Sequence, residues 1–449
     1  MSLKTLIVNA TIINEGSIFQ GSVLIEDDII SEVYKQTPDI SKLGKVKVID
    51  AEFAYLMPGI IDDQVHFREP GLTHKAEILS ESRAAVAGGI TSFMEMPNTI
   101  PQTTTAELLD EKFRLGAKQS MANFSFYMGA TNDNAYELDK IDPRKVCGIK
   151  VFMGSSTGNM LVDDQNALER IFSQAKTLVA THCEDEATIK ANLGKYRNEF
   201  GENIKAEDHP QIRNHEACLL SSTRAVELAK QNNTRLHVLH LSTAQETKLF
   251  DNSLSLDKKQ ITGEVCVHHL WFTHEDYKEK GNLIKWNPAV KTLSDREQLW
   301  KSLLDNTLDV VATDHAPHLL NEKLNPYLTS PSGGPLVQHS LQAMIDAFIA
   351  RNLPLHILVQ WMCHNPAICF NVSRRGFIRK GYYADLVILN PSKKYRVSKE
   401  NILYKCQWSP FEGYTFNSTP THTFINGELV YENGKFAEYF RGKPLEFER

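Results

Sequence analysis

The chain has 449 residues, 42% of them hydrophobic, which is enough for a large core and more than one barrel-sized domain requires. Its formal net charge of −6 and pI near 6.3 argue against a nucleic-acid or membrane-surface protein, while leaving room for an anionic small-molecule substrate steered locally. Seven cysteines without short spacings, and no apolar window of signal or membrane-span length, suggest reduced thiols and a cytoplasmic setting.

The first segment, residues 1–55, carries short alternating runs (KTLIVNATIIN, GSVLIEDDIISEVY, KVKVIDA) that predict strands. Residues 56–370 then alternate strand and helix patterns. Strands are expected at Gly59–Phe67, Thr91–Met96, Asn123–Met128, Gly148–Met153, Leu178–His182, Leu236–Leu241, Ile261–His268 and Asp309–Thr313. Amphipathic segments such as KAEILSESRAAVAGG, HEACLLSSTRAVELAKQ and PLVQHSLQAMIDAFIARN fall between or after them. Eight strands with intervening helices specify an α/β fold, a closed (β/α)8 TIM barrel. Residues 371–449 return to strand patterns with turn signals at Asn426–Gly427 and Asn433–Gly434. The two chain ends are expected to pack as one small β-sandwich domain beside the barrel.

Several barrel strands end in a metal-binding or titratable side chain: His66, Lys150, His182, His240 and Asp314. Any one histidine would more often be a hydrogen-bonded core residue; an ordered set at strand C-termini describes a metal site at a barrel mouth. Gln64 shares a face with His66 by strand alternation. An ammonium cannot ligate a cation, but a Lys150 amine carboxylated by carbon dioxide becomes a carbamate able to bridge two divalent ions. Imidazole with oxygen ligands suits zinc best, with manganese or cobalt as alternatives. His237, three residues before His240, is expected to face away and be structural.

In order, PGIIDDQVHFREPG, EMPNT, GIKVFMG, THCED, HVLHLST, EVCVHHL, WNPAVKT and TDHAPH resemble the amidohydrolase superfamily, and within it the dihydroorotases of the carboxylated-lysine branch. The likeness spans nearly the whole chain, and GYYADLVILN resembles that family's small β domain. It implies metal ligation by His66, Lys150, His182, His240 and Asp314. It also implies a carboxylate clamp of Arg68, Asn98 and His318, with ring contacts from Asn287 and from Ser332 and Gly333. An arginine fork and oriented amide and imidazole donors suit a carboxylate. The implied reaction is reversible ring opening of dihydroorotate to N-carbamoyl-L-aspartate in pyrimidine biosynthesis, with Asp314 as general base and acid. A homodimer and association with aspartate transcarbamoylase are the implied partnerships.

Gln64 departs from the family pattern, which places a histidine there. An amide oxygen is a weak neutral ligand, so three outcomes stand open: a binuclear centre with one softened site, an active mononuclear enzyme, or a non-catalytic homologue acting as a partner of aspartate transcarbamoylase. A hydantoinase or dihydropyrimidinase is the rival enzyme, but those substrates need no carboxylate clamp, so Arg68, Asn98 and His318 together favour a dihydroorotase. The small-residue segment GSSTGNMLVDD after Lys150 could close over substrate. Glu264, His268 and His269 resemble a strand-seven motif without an assigned chemical step.

Overall fold

The computed structural model describes residues 4–154 and 160–449; the interior of the GSSTGNMLVDD segment, residues 155–159, lies outside the described residues. Eight parallel barrel strands are present: Ile60–Val65, Ile90–Glu95, Asn123–Phe126 continued by Met128–Gly129, Ile149–Phe152, Val179–His182, Leu236–Val238, Ile261–Cys266 and Val310–Ala312. Each pairs with the next in parallel. The ring closes where the His66 backbone N–H donates to the His315 carbonyl at 2.7 Å and Val65 bridges His315. Nearly every strand residue is buried, as expected when helices cover the outer face and side chains fill the interior.

The outer helices obey local rules. Thr105, Asp164 and Asn214 accept from the backbone N–H groups of Leu108, Ala167 and Ala217, capping Ala106–Gln119, Gln165–Gln174 and His215–Asn232. Gln165–Gln174 buries Ala167, Leu168, Ile171 and Phe172, one stripe at helical spacing. Among the described residues no helix is long and apolar enough to cross a membrane.

Both chain ends build one nine-stranded sheet. Its main path runs Lys435–Phe436, Glu428–Glu432, Thr419–Ile425, Leu386–Asn390, Tyr55–Pro58, Lys4–Asn14, Ser17–Glu26 and Ile29–Tyr34. Lys47–Asp50 pairs with the first half of Lys4–Asn14 and Tyr55–Pro58 with its second half, so the sheet branches there, beside a bulge between Ile7 and Ala10. Ile7, Ile12, Val23, Leu56, Ile388 and Phe424 belong to its own apolar cluster. Asn426–Gly427 and Asn433–Gly434 have positive φ at both residues (50° and 81°, 46° and 91°), the mark of two-residue hairpin turns.

Two boundaries differ from the sequence expectation. Tyr55–Pro58 pairs with Leu386–Leu389, so residues 56–58 lie in the terminal sheet and the chain enters the barrel at Gly59. The apolar run YLMPGII hides that change of partner; Gly59 marks it, because a Cβ there would collide with Thr91. At the other end, the tail leaves the terminal sheet and returns to the barrel, with Phe124 bridging Pro444 and Val372 bridging Phe447. The Arg449 guanidinium then donates to the carbonyls of Val146, Cys147 and Phe370 at 3.1, 2.8 and 2.9 Å.

Six of the eight strands also end one to three residues earlier than expected, while the fifth ends at His182 as expected and the third runs on to Gly129. Arg68, His240 and Asp314 adopt left-handed backbone conformations, with φ of 69°, 40° and 46°. Such conformations are costly for residues with a Cβ and end the ladder where the side chains turn into the mouth.

Candidate metal centre

At the barrel mouth, Gln64, His66, Lys150, His182, His240 and Asp314 line one narrow opening, together with Asn287, Ser332 and Gly333. His66 follows the first strand and Asp314 the eighth, and their Nε2 and Oδ1 atoms lie 3.2 Å apart. The other His66 nitrogen, Nδ1, is 2.8 Å from Asn98 Oδ1. An amide oxygen only accepts, so Nδ1 carries the proton and Nε2 presents its lone pair to a carboxylate. Burial holds the imidazole below its ordinary range, keeping it neutral. Two electron-rich atoms in such contact fit a shared cation.

A second convergence joins the fifth and sixth strands. His182 Nδ1 and His240 Nε2 are 2.9 Å apart. His182 Nε2 faces Glu184 Oε2 at 3.1 Å, and Glu184 is in turn paired with Arg213. Burial lowers both histidines, His240 strongly. The Glu184 carboxylate fixes the ring that offers Nδ1 to the centre. Glu184→Gln should therefore weaken metal affinity by about 10–100-fold without unfolding the protein, measured by competition with a coloured chelator.

Lys150 is 1% exposed, its ammonium 4.6 Å from the Phe152 ring centroid. Burial pulls its amine down to about 7, so much of it is neutral at physiological pH. The neutral amine is the form that adds to carbon dioxide, so the site suits carbamate formation. Gln64 behaves differently from a ligand. Its Nε2 donates to Asp314 Oδ1 at 3.1 Å, while its Oε1 is turned toward the Cys266 thiol 3.7 Å away. The neighbouring carboxylate orients the amide nitrogen inward, the opposite of what ligation through oxygen requires.

Arg68 and His318 border an adjoining cleft with Asn98 and Lys75. Arg68 does not pair with Glu69, which instead accepts from the Ile78 backbone and Gln119. Arg68 Nε donates to the Pro317 carbonyl at 3.1 Å, and its Nη2 lies 3.1 Å from His318 Nε2. Lys75 Nζ donates to His318 Nδ1 at 3.0 Å, so Nε2 holds the imidazole proton and donates to the Ser332 carbonyl at 3.0 Å. Burial, then Arg68 and Lys75, depress His318 far below its usual range. The Arg68 and Lys75 cations thus flank one neutral imidazole, with Lys75 also paired to Glu322 at 3.1 Å, an arrangement suited to an anion.

Residues 55–430 match the amidohydrolase family. The chain belongs to that family. A dihydroorotase of Methanosarcina acetivorans is 32% identical, covering 98% of this chain and 95% of that protein. An allantoinase of Deinococcus radiodurans is 30% identical over 99% of each. The structure of an L-hydantoinase (dihydropyrimidinase) from Arthrobacter aurescens superposes with a TM-score of 0.91 at 25% identity, covering 97% of each chain. The amidohydrolase barrel and the small β-rich domain built from both ends are thus common to this chain and a solved relative, and the chain is a hydrolase of that superfamily. Members of this amidohydrolase family typically bind metal ions, and the mouth residues supply a donor set that fits one.

Sequence reasoning missed some of this amidohydrolase's supporting groups. Glu184 lay in plain view two residues after His182, on the same side of an extended segment. Lys75 sits in a loop with no periodic signal. His237 requires a correction: it does not face away but points into the barrel, its Nε2 3.2 Å from Asp63 Oδ2. The alternation count failed because His240 lies beyond the end of its strand, in left-handed backbone.

Proposed function

We propose that this amidohydrolase is a cytoplasmic dihydroorotase, interconverting dihydroorotate and N-carbamoyl-L-aspartate in de novo pyrimidine biosynthesis. The observation that carries this reading is the Arg68–Lys75–His318 donor cluster beside the mouth, which suits a substrate bearing a carboxylate. Zinc held by His66, carboxylated Lys150, His182, His240 and Asp314 would lower the pKa of a solvent molecule and polarise the ring carbonyl.

Arg68 and Lys75, spaced by His318 between them, grip the exocyclic carboxylate and fix which ring amide faces the mouth. Asn287 lines the same opening with its buried Oδ1 lacking a hydrogen-bond partner, so it accepts a ring N–H. Asp314 has Oδ1 engaged by Gln64 and close to His66, which sets the plane of its carboxylate. It takes the proton from attacking water as the C–O bond forms and delivers it to the ring nitrogen as the C–N bond breaks. Asn98 orients His66 through Nδ1, a role the clamp expectation did not include.

The rival reading, a hydantoinase or allantoinase, draws support from the hydantoinase superposition and the allantoinase relative. Those rings carry no carboxylate at the clamped position. Side-by-side kcat/KM values on dihydroorotate, hydantoin and allantoin decide between them, with dihydroorotate expected first. Arg68→Gln should raise KM for dihydroorotate by about 10–100-fold, the worth of a charge-assisted hydrogen bond, and leave any hydantoin turnover nearly unchanged. Equal losses on both substrates, or hydantoin as the best substrate, would remove the carboxylate argument.

A further inference from the structure

We propose that the barrel interior holds an inner divalent cation, zinc by preference, on Asp63, His237 and Glu264, one layer beneath the mouth. Asp63 comes from the first strand, His237 from the sixth and Glu264 from the seventh, and all three are 0% exposed. One donor atom from each lies within 4.8 Å of the others. His237 Nε2 is 3.2 Å from Asp63 Oδ2 and 3.8 Å from Glu264 Oε2. Bonds of about 2.0–2.2 Å at tetrahedral angles place zinc donors about 3.3 Å apart, so small rotations close this triangle on an ion.

The hydrogen bonds around the cluster fix which atoms face inward. Thr262 Oγ1 donates to the Leu236 carbonyl at 3.3 Å and lies 2.7 Å from His237 Nδ1. The threonine proton is thereby spent, so Nδ1–H donates to Oγ1 and Nε2 is the nitrogen aimed at the two carboxylates. Glu264 Oε1 accepts from the His240 backbone N–H at 2.9 Å, leaving Oε2 for the interior. Both Asp63 carboxylate oxygens, His237 Nε2 and Glu264 Oε2 are buried without a hydrogen-bond partner. Two buried carboxylates converging on one imidazole nitrogen are costly unless a proton or a cation sits among them, and a divalent cation fits the place, since two carboxylates balance its charge.

One imidazole with two carboxylates suits zinc, manganese or ferrous iron over calcium or magnesium. The site is enclosed, so its role is to tie three strands together. Glu264 links it to the backbone of His240 above. The first strand thus commits its ionisable side chain, Asp63, to the interior and its neutral amide, Gln64, to the mouth. The inner site stands whether or not the dihydroorotase reading does.

Metal content by mass spectrometry on zinc-supplied protein tests this. A His66→Asn/Lys150→Met/His182→Asn/His240→Asn variant, which leaves Asp314 alone of the five mouth ligands, should keep one tightly held zinc through dialysis against a weak chelator. Adding Asp63→Asn should remove it. If Asp63→Asn prevents folding, anomalous scattering from wild-type crystals gives the same answer, with a peak expected among the three side chains. A mouth variant that folds and binds no zinc, or a wild-type map without that peak, would overturn the inner site and leave a shared proton in its place.

Discussion

Asp314→Asn should lower kcat for dihydroorotate by about 10²–10⁴-fold, the usual worth of a positioned general acid–base, while His66, Lys150, His182 and His240 keep the metal in place. The expected split follows from what the carboxylate does. Its Oδ1 accepts from Gln64 and lies beside His66, and an asparagine oxygen in the same place preserves both contacts. An amide cannot take up and return a proton at neutral pH, so the defect falls on the chemical step. The left-handed backbone at position 314, with φ of 46°, is tolerated by asparagine better than by most residues, so the fold should survive. Steady-state kinetics with parallel elemental analysis would check it. Unimpaired turnover would remove Asp314 from the proton path, and loss of metal would recast it as a ligand alone.

Lys150→Met should abolish metal binding at the mouth and activity together, with kcat/KM falling by more than about 10³-fold because the Lewis acid leaves with its bridging ligand. The same substitution should leave stability unchanged or higher. The lysine is 1% exposed, and burial alone pulls its amine down to about 7, so its charge is poorly tolerated there. An unbranched thioether fills similar space without that penalty. Thermal melts of metal-free proteins would read the stability side. A melt well below wild type would mean that Lys150 serves the fold rather than the site.

Much of this site was legible because barrel geometry imposes a simple grammar. An apolar run stops, and a metal-loving side chain follows at its C-terminal end; His66, His182, His240 and Asp314 obey that rule, Lys150 sits inside its strand instead, and all five meet at one opening. The hairpin turns at Asn426 and Asn433 were equally readable, since few residues other than asparagine and glycine accept paired positive φ. What escaped depends on contacts between distant segments. Lys75 sets the His318 tautomer across 243 residues, and no local pattern encodes that. His237 was misjudged because alternation was carried past the end of its ladder. Asn98 was read as a substrate contact, yet its oxygen holds His66. Gln64 offered two atoms of opposite polarity, and only the placement of Asp314 decides which faces inward.

Anomalous diffraction at the zinc edge from zinc-supplied crystals addresses the mouth directly. A peak is expected between His182 Nδ1, His240 Nε2 and the end of Lys150, with branched density for a carboxylated amine. An unbranched lysine terminus and no anomalous scatterer among these side chains would contradict a hydrolytic metal centre.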